Sequence, residues 1–239
     1  MTKEEYFGDW SRIIDLSEAD HILKKLSMLS CQDNKIICPQ LKNIFKAFHL
    51  CPLHSLRVVL MGQDPYPNLR AFPWDSSQGR APVATGLAFA NSPGTPEDSY
   101  SPSLEVLRES VIDFSVPHRT IIFDPSLEKW SSQGVLLLNA ALSCEAGRIG
   151  SHSLMWRPFI RTVLTNLSTY HPGLVYVLMG SAAQSFEDCI NKQNNHVLYS
   201  KHPSWYARQK QKMPSDLWQQ INSILTGLNG YSIEWYKEY

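Results

Sequence analysis

The sequence predicts an α/β fold, with a central, mainly parallel sheet of four strands flanked by helices in three layers (α/β/α). The prediction rests on how apolar runs and helical patterns alternate along the chain. Four short apolar runs, typical of buried strands, alternate with amphipathic helical patterns beyond residue 57. Alternating strands and helices form βαβ units, whose parallel strands are covered on both faces. The 239 residues suffice for one substantial core, so we expect a single domain over residues 1–239.

Two helices are expected ahead of the first strand, in an N-terminal helical part over residues 1–54. The first covers residues 17–29, where apolar residues recur at helical spacing. Ser17 is its expected N-cap, because a serine hydroxyl can accept a hydrogen bond from the first turn. The second covers residues 39–50, with Pro39 near its first turn.

The remaining elements follow from the alternation of apolar runs and helical patterns. The strands are predicted at 57–61, 135–139, 174–179 and 196–200. The later helices are predicted at about 103–114, 155–169, 181–191 and 214–228. Residues 68–85 have no periodicity and are rich in Pro, Ser, Gly and Arg, which indicates a long inserted surface loop.

Composition argues against a strongly charged, a secreted and a membrane-spanning protein. Basic and acidic residues number 22 each, so the chain as a whole has no net field that would attract DNA or a membrane. An anionic partner must therefore be held by a local patch or by neutral donors. The N-terminus lacks the apolar core of a signal peptide, and no apolar run is long enough to span a bilayer. The five cysteines include no C-x-x-C pair, which indicates reduced thiols in an intracellular protein. The spacings between Cys31, Cys38 and Cys51 fit no metal-ligand pattern, and we expect no cofactor.

Polar residues follow each predicted strand directly. In a parallel sheet covered by helices, the functional site lies beyond the carboxyl ends of the strands. These ends carry a carboxylate, a carboxamide, a Gly-Ser turn and an imidazole, from Asp64 with Gln63, Asn139, Gly180 with Ser181, and His202 with Ser204. The sequence therefore predicts one site at this edge of the sheet.

Each of these side chains also has an ordinary structural interpretation. Asp64 precedes Pro65, which disfavours a simple helix start and is compatible with a turn or a cap. Asn139 can be a core amide that fixes the next turn, or an amide that reads the edge of a nucleobase. His202 can be structural, or it can polarise a carbonyl group. Their convergence at one edge of the sheet favours the functional interpretation.

Six motifs occur in the order and approximate spacing of a known family. They are GQDPYP, GLAFAN, YSPSL, GVLLLNAAL, MGSAAQ and HPSW. Through these motifs the chain resembles the family-1 uracil-DNA glycosylases over about residues 55–236. The combination of GQDPY with LLLNA and HPS downstream is highly specific. The resemblance implies the uracil-DNA glycosylase-like fold and base excision that needs no metal ion.

The resemblance implies a role for each motif residue near the base. Asp64 would position and activate the water that attacks C1′, and its charge would stabilise the cationic sugar. His202 would donate a hydrogen bond to O2 of the leaving uracil. The remaining residues would hold and select the base, with Gln63 acting through the backbone of its loop, Tyr66 standing against C5, Phe89 stacking, and Asn139 pairing with N3–H and O4.

The resemblance also implies contacts with the DNA backbone. The implied phosphate-binding residues are Ser103, Ser181 and Ser204, and the sequence itself adds Trp205, Tyr206 and Arg208 as candidate DNA-binding residues. The three serines, with their loop amides, would clamp phosphates. The two aromatic residues and Arg208 lie within residues 198–213, a run with four basic residues and no acidic one. This run can be a solvated basic loop or a DNA-facing loop, and its position beside the HPS motif favours the second.

Three features depart from the family's pattern. Pro67 and Asn68 stand where the family has histidine and glycine, and the segment 68–85 is longer than usual. Trp205 and Tyr206 stand where the family has proline and a leucine that fills the space of the flipped base. An aromatic side chain can serve as such a wedge, and the sequence leaves open which of the two does so. The inserted loop could cover the pocket, contact DNA or bind a partner.

Three functions are compatible with these residues. The first is a monofunctional uracil-DNA glycosylase of base excision repair, which flips uracil out of DNA, hydrolyses the N-glycosidic bond and leaves an abasic site. The second is a glycosylase of the same fold for another modified base. The third is a DNA-binding or replication-accessory protein without catalysis. Asp64 and His202 favour an enzyme, and Tyr66 and Asn139 favour uracil as its substrate.

The expected partners follow from the first function. They are single- and double-stranded DNA that contains uracil, and the small acidic inhibitor proteins that mimic DNA in this family. The change at residues 205–206 alters the surface that such an inhibitor would meet. We expect a monomer without membrane contact, cytoplasmic if the source is prokaryotic and nuclear if it is eukaryotic or viral.

Overall fold

A parallel sheet of four strands forms the centre of the protein. The computed structural model describes residues 2–71, 80–115 and 120–238. Its strands are β1 (Ile37–Cys38), β2 (Val58–Gly62), β3 (Leu69–Ala71), β4 (Arg80–Pro82), β5 (Ile121–Ile122), β6 (Val135–Asn139), β7 (Cys144–Glu145), β8 (Val175–Met179), β9 (His196–Ser200) and β10 (Lys237–Glu238). The central sheet has the order β6–β2–β8–β9, and all its pairings are parallel.

Helices flank this sheet. They are α1 (Lys3–Phe7), α2 (Leu16–Gln32), α3 (Lys46–Leu50), α4 (Pro102–Phe114), α5 (Glu128–Ser132), α6 (Ser153–Tyr170), α7 (Gly180–Gln184), α8 (Pro203–Gln209) and α9 (Asp216–Asn229). Short 3₁₀ helices cover Gly8–Arg12, Leu41–Asn43, Leu53–Ser55, Glu97–Ser99 and Glu187–Cys189. No helix in the described part of the chain combines the length and the apolar character that crossing a membrane requires.

The four strands predicted from the apolar runs are all present, and the predicted fold class is confirmed. Strands β2, β6 and β8 are buried at every residue, which explains why their sequences are continuously apolar. The register places Gly62 beside Asn139 at the carboxyl ends of β2 and β6. Because all four strands run in the same direction, the polar residues that follow them meet at one edge.

The core is rich in aromatic side chains that join the outer helices to the sheet. The ring of Phe45 lies 5.9 Å from those of both Trp156 and Phe159 on α6. Near the C-terminus, the rings of Trp130 and Trp235 are 5.0 Å apart in an edge-to-face arrangement. These contacts hold the helices against the sheet whose edge carries the site.

The N-cap of α2 is Asp15, and the prediction of Ser17 was wrong. The Asp15 carboxylate accepts hydrogen bonds from the backbone N–H groups of Ser17 at 2.9 Å and Glu18 at 3.0 Å. Because the helix begins at Leu16, Ser17 lies inside the first turn, where its backbone N–H needs an acceptor. A carboxylate also suits the positive end of the helix dipole.

Two predicted helices are interrupted. Residues 39–50 form a 3₁₀ turn and then α3, and Ile44 and Phe45 at the break are each 1% exposed. Residues 181–191 form α7 and then a 3₁₀ turn, with Phe186 between them 2% exposed. In both segments the side chains at the break are buried in the core. This packing overrides the helical periodicity of the sequence.

Helix α8 was not predicted, because its sequence was interpreted as part of a basic loop. Pro203 occupies the first turn, where a missing N–H is tolerated, and the His202 side chain caps the helix by accepting from the Ser204 N–H. Part of the basic run 198–213 is therefore held on a short, capped helix.

The prediction of an irregular loop over residues 68–85 was wrong at both ends of the segment. Strands β3 and β4 form an antiparallel hairpin there, with Leu69 opposite Pro82. Arg70 anchors this hairpin by donating a hydrogen bond to the carbonyl oxygen of Ser99. Residues 72–79, the remainder of the predicted loop, lie outside the described residues.

Candidate active site

A pocket of about 490 Å³ opens at the carboxyl ends of β2, β8 and β9. A pocket of this volume is within the usual range for small-molecule sites. Most of the residues that the sequence identified lie on its surface, namely Gln63, Asp64, Tyr66, Ser103, Ser181, His202, Ser204, Trp205 and Arg208. The convergence that parallel strands impose therefore brings these side chains together.

Asp64, directly beyond β2, is held through only one of its carboxylate oxygens. Its Oδ2 accepts hydrogen bonds from the Gly150 N–H at 2.8 Å and from Gln63 Nε2 at 3.3 Å. Its Oδ1 is buried and has no hydrogen-bond partner among the described residues. Burial raises the pKa of Asp64, and the hydrogen bonds from Gly150 and Gln63 oppose this shift. The carboxylate is thus fixed in orientation through Oδ2, and Oδ1 is left unpaired among the described residues.

His202 is a neutral imidazole with its proton on Nε2. Its Nδ1 accepts a hydrogen bond from the backbone N–H of Ser204 at 3.2 Å, and Ser204 Oγ lies 2.8 Å away. Since a backbone N–H can only donate, Nδ1 carries no proton and Nε2 must carry it in the neutral ring. Burial, assisted by the nearby charge of Arg208, lowers the pKa of His202 to about 4. At neutral pH the ring therefore offers an uncharged N–H donor.

Two glycines allow the site residues to approach the strand ends closely. A Cβ atom on Gly62 would lie 2.8 Å from Asn139 Oδ1 and 2.8 Å from Phe89 Cζ. A Cβ atom on Gly180, whose φ is +85°, would lie 2.8 Å from Cβ of His202. Real Cβ atoms do not approach other atoms so closely, so any side chain at Gly62 or Gly180 would displace its neighbours.

Phe89 and Asn139 lie beneath the pocket surface, and each is 6% exposed. The Phe89 ring is 5.5 Å from the His202 ring and tilted by 44°. Phe89 adopts φ +67°, a left-handed conformation that is unusual for a residue with a bulky side chain. Phe89 and Asn139 both lie close to Gly62, and His202 lies next to Phe89. An aromatic ring, a carboxamide and an imidazole therefore surround the carboxyl end of β2.

Tyr66 closes the site on the side of the loop after β2. Its hydroxyl donates a hydrogen bond to the carbonyl oxygen of Phe89, and burial raises the pKa of Tyr66. The preceding Pro65 has its carbonyl oxygen 3.4 Å from Cys144 Sγ, which donates to it. The phenol is therefore neutral at physiological pH. Hydrogen bonds hold both its hydroxyl and the backbone of the preceding residue.

Trp205 and Tyr206 face different ways, which separates two residues that the sequence could not distinguish. Trp205 lines the pocket, and Lys201 Nζ lies 4.1 Å from its ring centroid. Tyr206 is 9% exposed and packs in the core. Successive residues of a helix point about 100° apart, so α8 can present only one of them to the pocket. The prediction of DNA contact is therefore kept for Trp205, and Tyr206 is reassigned to the core.

The sequence interpretation missed the loop after β7. Gly150 holds Asp64 through its backbone N–H, and the neighbouring Ile149 lines the pocket. A backbone donor leaves no residue-type signal, and the glycine alone does not identify its partner. Gln184 also lines the pocket and was missed. Its Nε2 donates a hydrogen bond to the Ser200 carbonyl oxygen at 3.2 Å, which ties the end of β9 to α7. Within the described ranges, no cluster of His, Cys, Asp or Glu side chains is arranged to hold a metal ion.

The fold is shared with solved structures of one class of enzyme. The mimivirus uracil-DNA glycosylase aligns with a TM-score of 0.73 and 20% identity, over 98% of this chain and 93% of that one. A variant of mimivirus UNG in complex with UGI gives a TM-score of 0.77 and 20% identity, over 98% and 88% of the two chains. At these identities the likeness shows the fold, which is that of the uracil-DNA glycosylases.

Sequence similarity places the chain within a family. The Uracil DNA glycosylase superfamily matches residues 48–226. The uracil-DNA glycosylase of Pectobacterium atrosepticum is 35% identical over 208 residues, which cover 84% of this chain and 82% of that protein. The uracil-DNA glycosylase of Coxiella burnetii is 36% identical over 205 residues, which cover 84% and 81%. The chain belongs to the uracil DNA glycosylase superfamily, as its motifs indicated.

Proposed function

We propose that this protein is a uracil-DNA glycosylase, a monofunctional hydrolase that removes uracil from DNA and leaves an abasic site. One observation carries the proposal. Asp64, whose Oδ1 is unpaired within the described part of the chain, and His202, with its proton on Nε2, line the same pocket at the strand ends. A carboxylate and a neutral N–H donor are the two groups that hydrolysis of a nucleoside bond requires when the leaving base can carry negative charge.

Asp64 acts on the sugar. As the bond between N1 of uracil and C1′ breaks, the electron pair leaves with the base and positive charge develops on the sugar. The Asp64 carboxylate stabilises that charge. Its Oδ1 accepts a hydrogen bond from the water that attacks C1′ and then takes the proton of that water. The hydrogen bond from Gly150 keeps the carboxylate in this orientation during both steps.

His202 acts on the base. Its Nε2–H donates a hydrogen bond to O2 of uracil, where negative charge accumulates as the bond breaks. A neutral ring suits this role because the donor gains strength as the charge develops and no buried cation has to be maintained. The Ser204 N–H and the pKa of about 4 keep the ring in the required form.

Asn139, Tyr66 and Phe89 select the base. The Asn139 amide matches the N3–H and O4 edge of uracil and leaves the edge of cytosine unmatched. Tyr66 stands against C5, where the methyl group of thymine would clash. Phe89 stacks on the face of the base, beside the His202 ring, whose centroid is 5.5 Å from that of Phe89. These three residues distinguish uracil from the normal pyrimidines by hydrogen bonding on one edge and by steric exclusion on the other.

DNA is held along the rim of the pocket. Ser103, Ser181 and Ser204 contact phosphates, and Lys201 and Arg208 supply local positive charge despite the neutral composition of the chain. Trp205 fills the space that a flipped base leaves in a duplex. The substrates are single- and double-stranded DNA that contains uracil, and an inhibitor protein that mimics DNA would compete for the same rim. The protein works as a single-domain monomer inside the cell.

A second candidate is a glycosylase for another modified base. Pro67 lines the pocket at a position where the family's pattern has histidine, and the hairpin of β3 and β4 begins two residues later. This change lies on the same loop as Tyr66, so it is placed to alter the base range.

The test uses oligonucleotides with a single uracil, single-stranded and in duplex, with a chelator present. Wild type should give an alkali-labile site at the uracil, and Asp64→Asn should lower the rate about 10² to 10³-fold. Asp124→Asn is a matched control, because Asp124 also precedes a proline but does not line the pocket, and its carboxylate accepts hydrogen bonds from Ser126 in a turn. His202→Leu should also be strongly impaired.

The outcomes separate the candidates. If wild type leaves uracil in place but releases another base, the second candidate replaces the first. If wild type binds DNA tightly and releases no base at all, the protein is not a glycosylase. If Asp124→Asn loses as much activity as Asp64→Asn, the role assigned to Asp64 is wrong.

A further inference from the structure

Ile149 is an exposed apolar residue on the rim of the pocket. It lines the pocket while 67% of its surface is exposed. Single exposed apolar residues are common on proteins, so exposure alone indicates no function. Leu154 is a useful comparison, since it is 87% exposed and does not line the pocket. The position of Ile149 at the pocket mouth, in a loop that contacts Asp64, distinguishes it from Leu154.

The loop that carries Ile149 is fixed against the catalytic loop. The Gly150 N–H donates to Asp64 Oδ2 at 2.8 Å. The Gly147 N–H donates to the carbonyl oxygen of Pro67, also at 2.8 Å. These two bonds bracket Ile149 within four residues of chain. Its side chain is therefore presented to the pocket mouth by an anchored backbone.

Ile149 and Trp205 lie toward different ends of the pocket. Ile149 is next to the residue that holds Asp64, which follows β2, whereas Trp205 follows β9. Strand β8 separates β2 from β9 in the sheet, so the two strand ends are two interstrand spacings apart, or about 10 Å. Nucleotides of one strand in a duplex repeat about every 3.4 Å. We therefore expect the two side chains to meet different base steps.

We propose that Ile149 is a DNA-binding residue, which packs on the sugar and base of a nucleotide that flanks the flipped one, on the side away from Trp205. The proposal rests on the proposed function, since it takes DNA as the strand that crosses the pocket. The contact is apolar because the Ile149 side chain has no polar atom, and the neighbouring cation Arg148 is paired with Glu145 at 2.8 Å. The cations that line the pocket, Lys201 and Arg208, accompany Trp205 at the other end.

The test measures DNA binding, which does not depend on base release. The anisotropy of a fluorescein-labelled single-stranded oligonucleotide with one abasic-site analogue is followed at several KCl concentrations for the full chain. Ile149→Ser should weaken binding about five- to tenfold at every salt concentration, because it removes an apolar contact. Its salt slope should equal that of wild type, since no phosphate contact is lost. Arg208→Ala should instead reduce the slope by about one.

Two further variants make the comparison specific. Leu154→Ser removes an equally apolar exposed side chain outside the pocket and should bind as wild type does. Ile149→Val keeps the branched apolar surface and should bind within about twofold of wild type. Thermal unfolding of all variants is compared, and equal midpoints are expected because Ile149 and Leu154 are exposed.

The proposal is overturned if Ile149→Ser binds as tightly as wild type, if it changes the salt slope as Arg208→Ala does, or if Leu154→Ser weakens binding to the same extent. Uracil release is assayed separately on the same proteins. A wild type that binds DNA and releases no uracil would refute the proposed function. In that case the comparison of Ile149→Ser with Leu154→Ser would still decide whether Ile149 contacts DNA.

Discussion

The hydroxyl of Tyr66 donates a 2.7 Å hydrogen bond to the backbone carbonyl oxygen of Phe89. This bond joins the residue proposed to exclude thymine to the residue proposed to stack on uracil. It also holds the backbone of Phe89, which adopts the left-handed φ of +67°. The two sides of the base site are therefore mechanically coupled.

Two substitutions at Tyr66 should distinguish the role of its ring from the role of its hydroxyl. Tyr66→Phe keeps the ring but leaves the Phe89 carbonyl without this donor, a loss of about 1 to 3 kcal/mol for a buried acceptor. Uracil excision should slow about tenfold or more, while thymine stays excluded. Tyr66→Ala removes the barrier near C5 and should begin to release thymine. Release of both bases from oligonucleotides is measured for each variant, and unchanged discrimination by Tyr66→Ala would show that the ring does not exclude thymine.

The sheet and much of the site could be predicted because both follow from short-range signals. A continuously apolar run such as Val58–Met61 identifies a buried parallel strand, and the residue after it must lie at the functional edge. That rule placed Asp64 and His202 together on the pocket, although they are far apart in the chain. The Trp205 and Tyr206 pair could not be resolved, because residues 198–213 were interpreted as a loop and the helix that begins at Pro203 was not predicted.

Features that depend on tertiary contact could not be predicted. The Gly150 N–H reaches Asp64 across 86 positions of sequence, and any residue except proline could supply such a donor. The left-handed backbone of Phe89 has no residue-type signal either, because glycine or asparagine usually occupies that region. The breaks at Phe45 and Phe186 arise from burial of these side chains, which a helical period does not reveal.

Substitution of Gly62 should damage both stability and catalysis. In Gly62→Ala the new methyl group would lie 2.8 Å from Asn139 Oδ1 and from Phe89 Cζ, and both side chains are buried. Overpacking of this kind destabilises by about 1 to 3 kcal/mol and should also displace the groups that hold the base. The free energy of unfolding is measured by chemical denaturation and kcat/KM by uracil release, and both should be lower in Gly62→Ala than in wild type.

Gly227→Ala is the matched control for this substitution. Gly227 lies in α9 and a Cβ atom there would meet nothing within 4 Å. The alanine should be neutral or stabilise the protein by up to about 1 kcal/mol, with unchanged activity. If Gly62→Ala behaves like this control, the close packing of Asn139 and Phe89 over Gly62 is not required.

Activity should fall on the acid side of neutrality and not on the alkaline side. The working forms are the ionised carboxylate of Asp64, whose pKa is raised by burial, and the neutral ring of His202, whose pKa is about 4. Both forms are lost by gaining a proton. The value of kcat/KM should therefore be constant near pH 7 and decline as the pH approaches these pKa values. His202→Gln should show an acid limb from Asp64 alone, which is less steep.

The lowered pKa of His202 also makes the free energy of unfolding depend on pH. An unfolded chain protonates His202 near its ordinary pKa of 6.5, whereas the folded protein does so only near 4. Between these values the unfolded state binds the extra proton, so the free energy of unfolding should fall as the pH drops from 6.5 to 4. The stabilisation from the neutral His202 ring is fully present above pH 6.5. The His202→Gln variant should lack this pH dependence of the free energy of unfolding. An acid limb of activity near pH 6.5 that vanishes in His202→Gln would contradict the lowered pKa.

Trp205→Ala should impair excision from duplex DNA more than from single strands. In a duplex the flipped base leaves a space that the Trp205 side chain fills, and without this filling the base returns to the stack. We expect about a tenfold loss in kcat/KM on duplex substrates and less than about twofold on single strands, where no stack has to be held open. Trp205→Leu should retain most of the duplex activity because leucine can also act as a wedge. Tyr170→Ala is the control, since Tyr170 is 71% exposed on α6 and does not line the pocket. Equal losses on both substrates would show that Trp205 contributes to DNA affinity in general and not to base flipping.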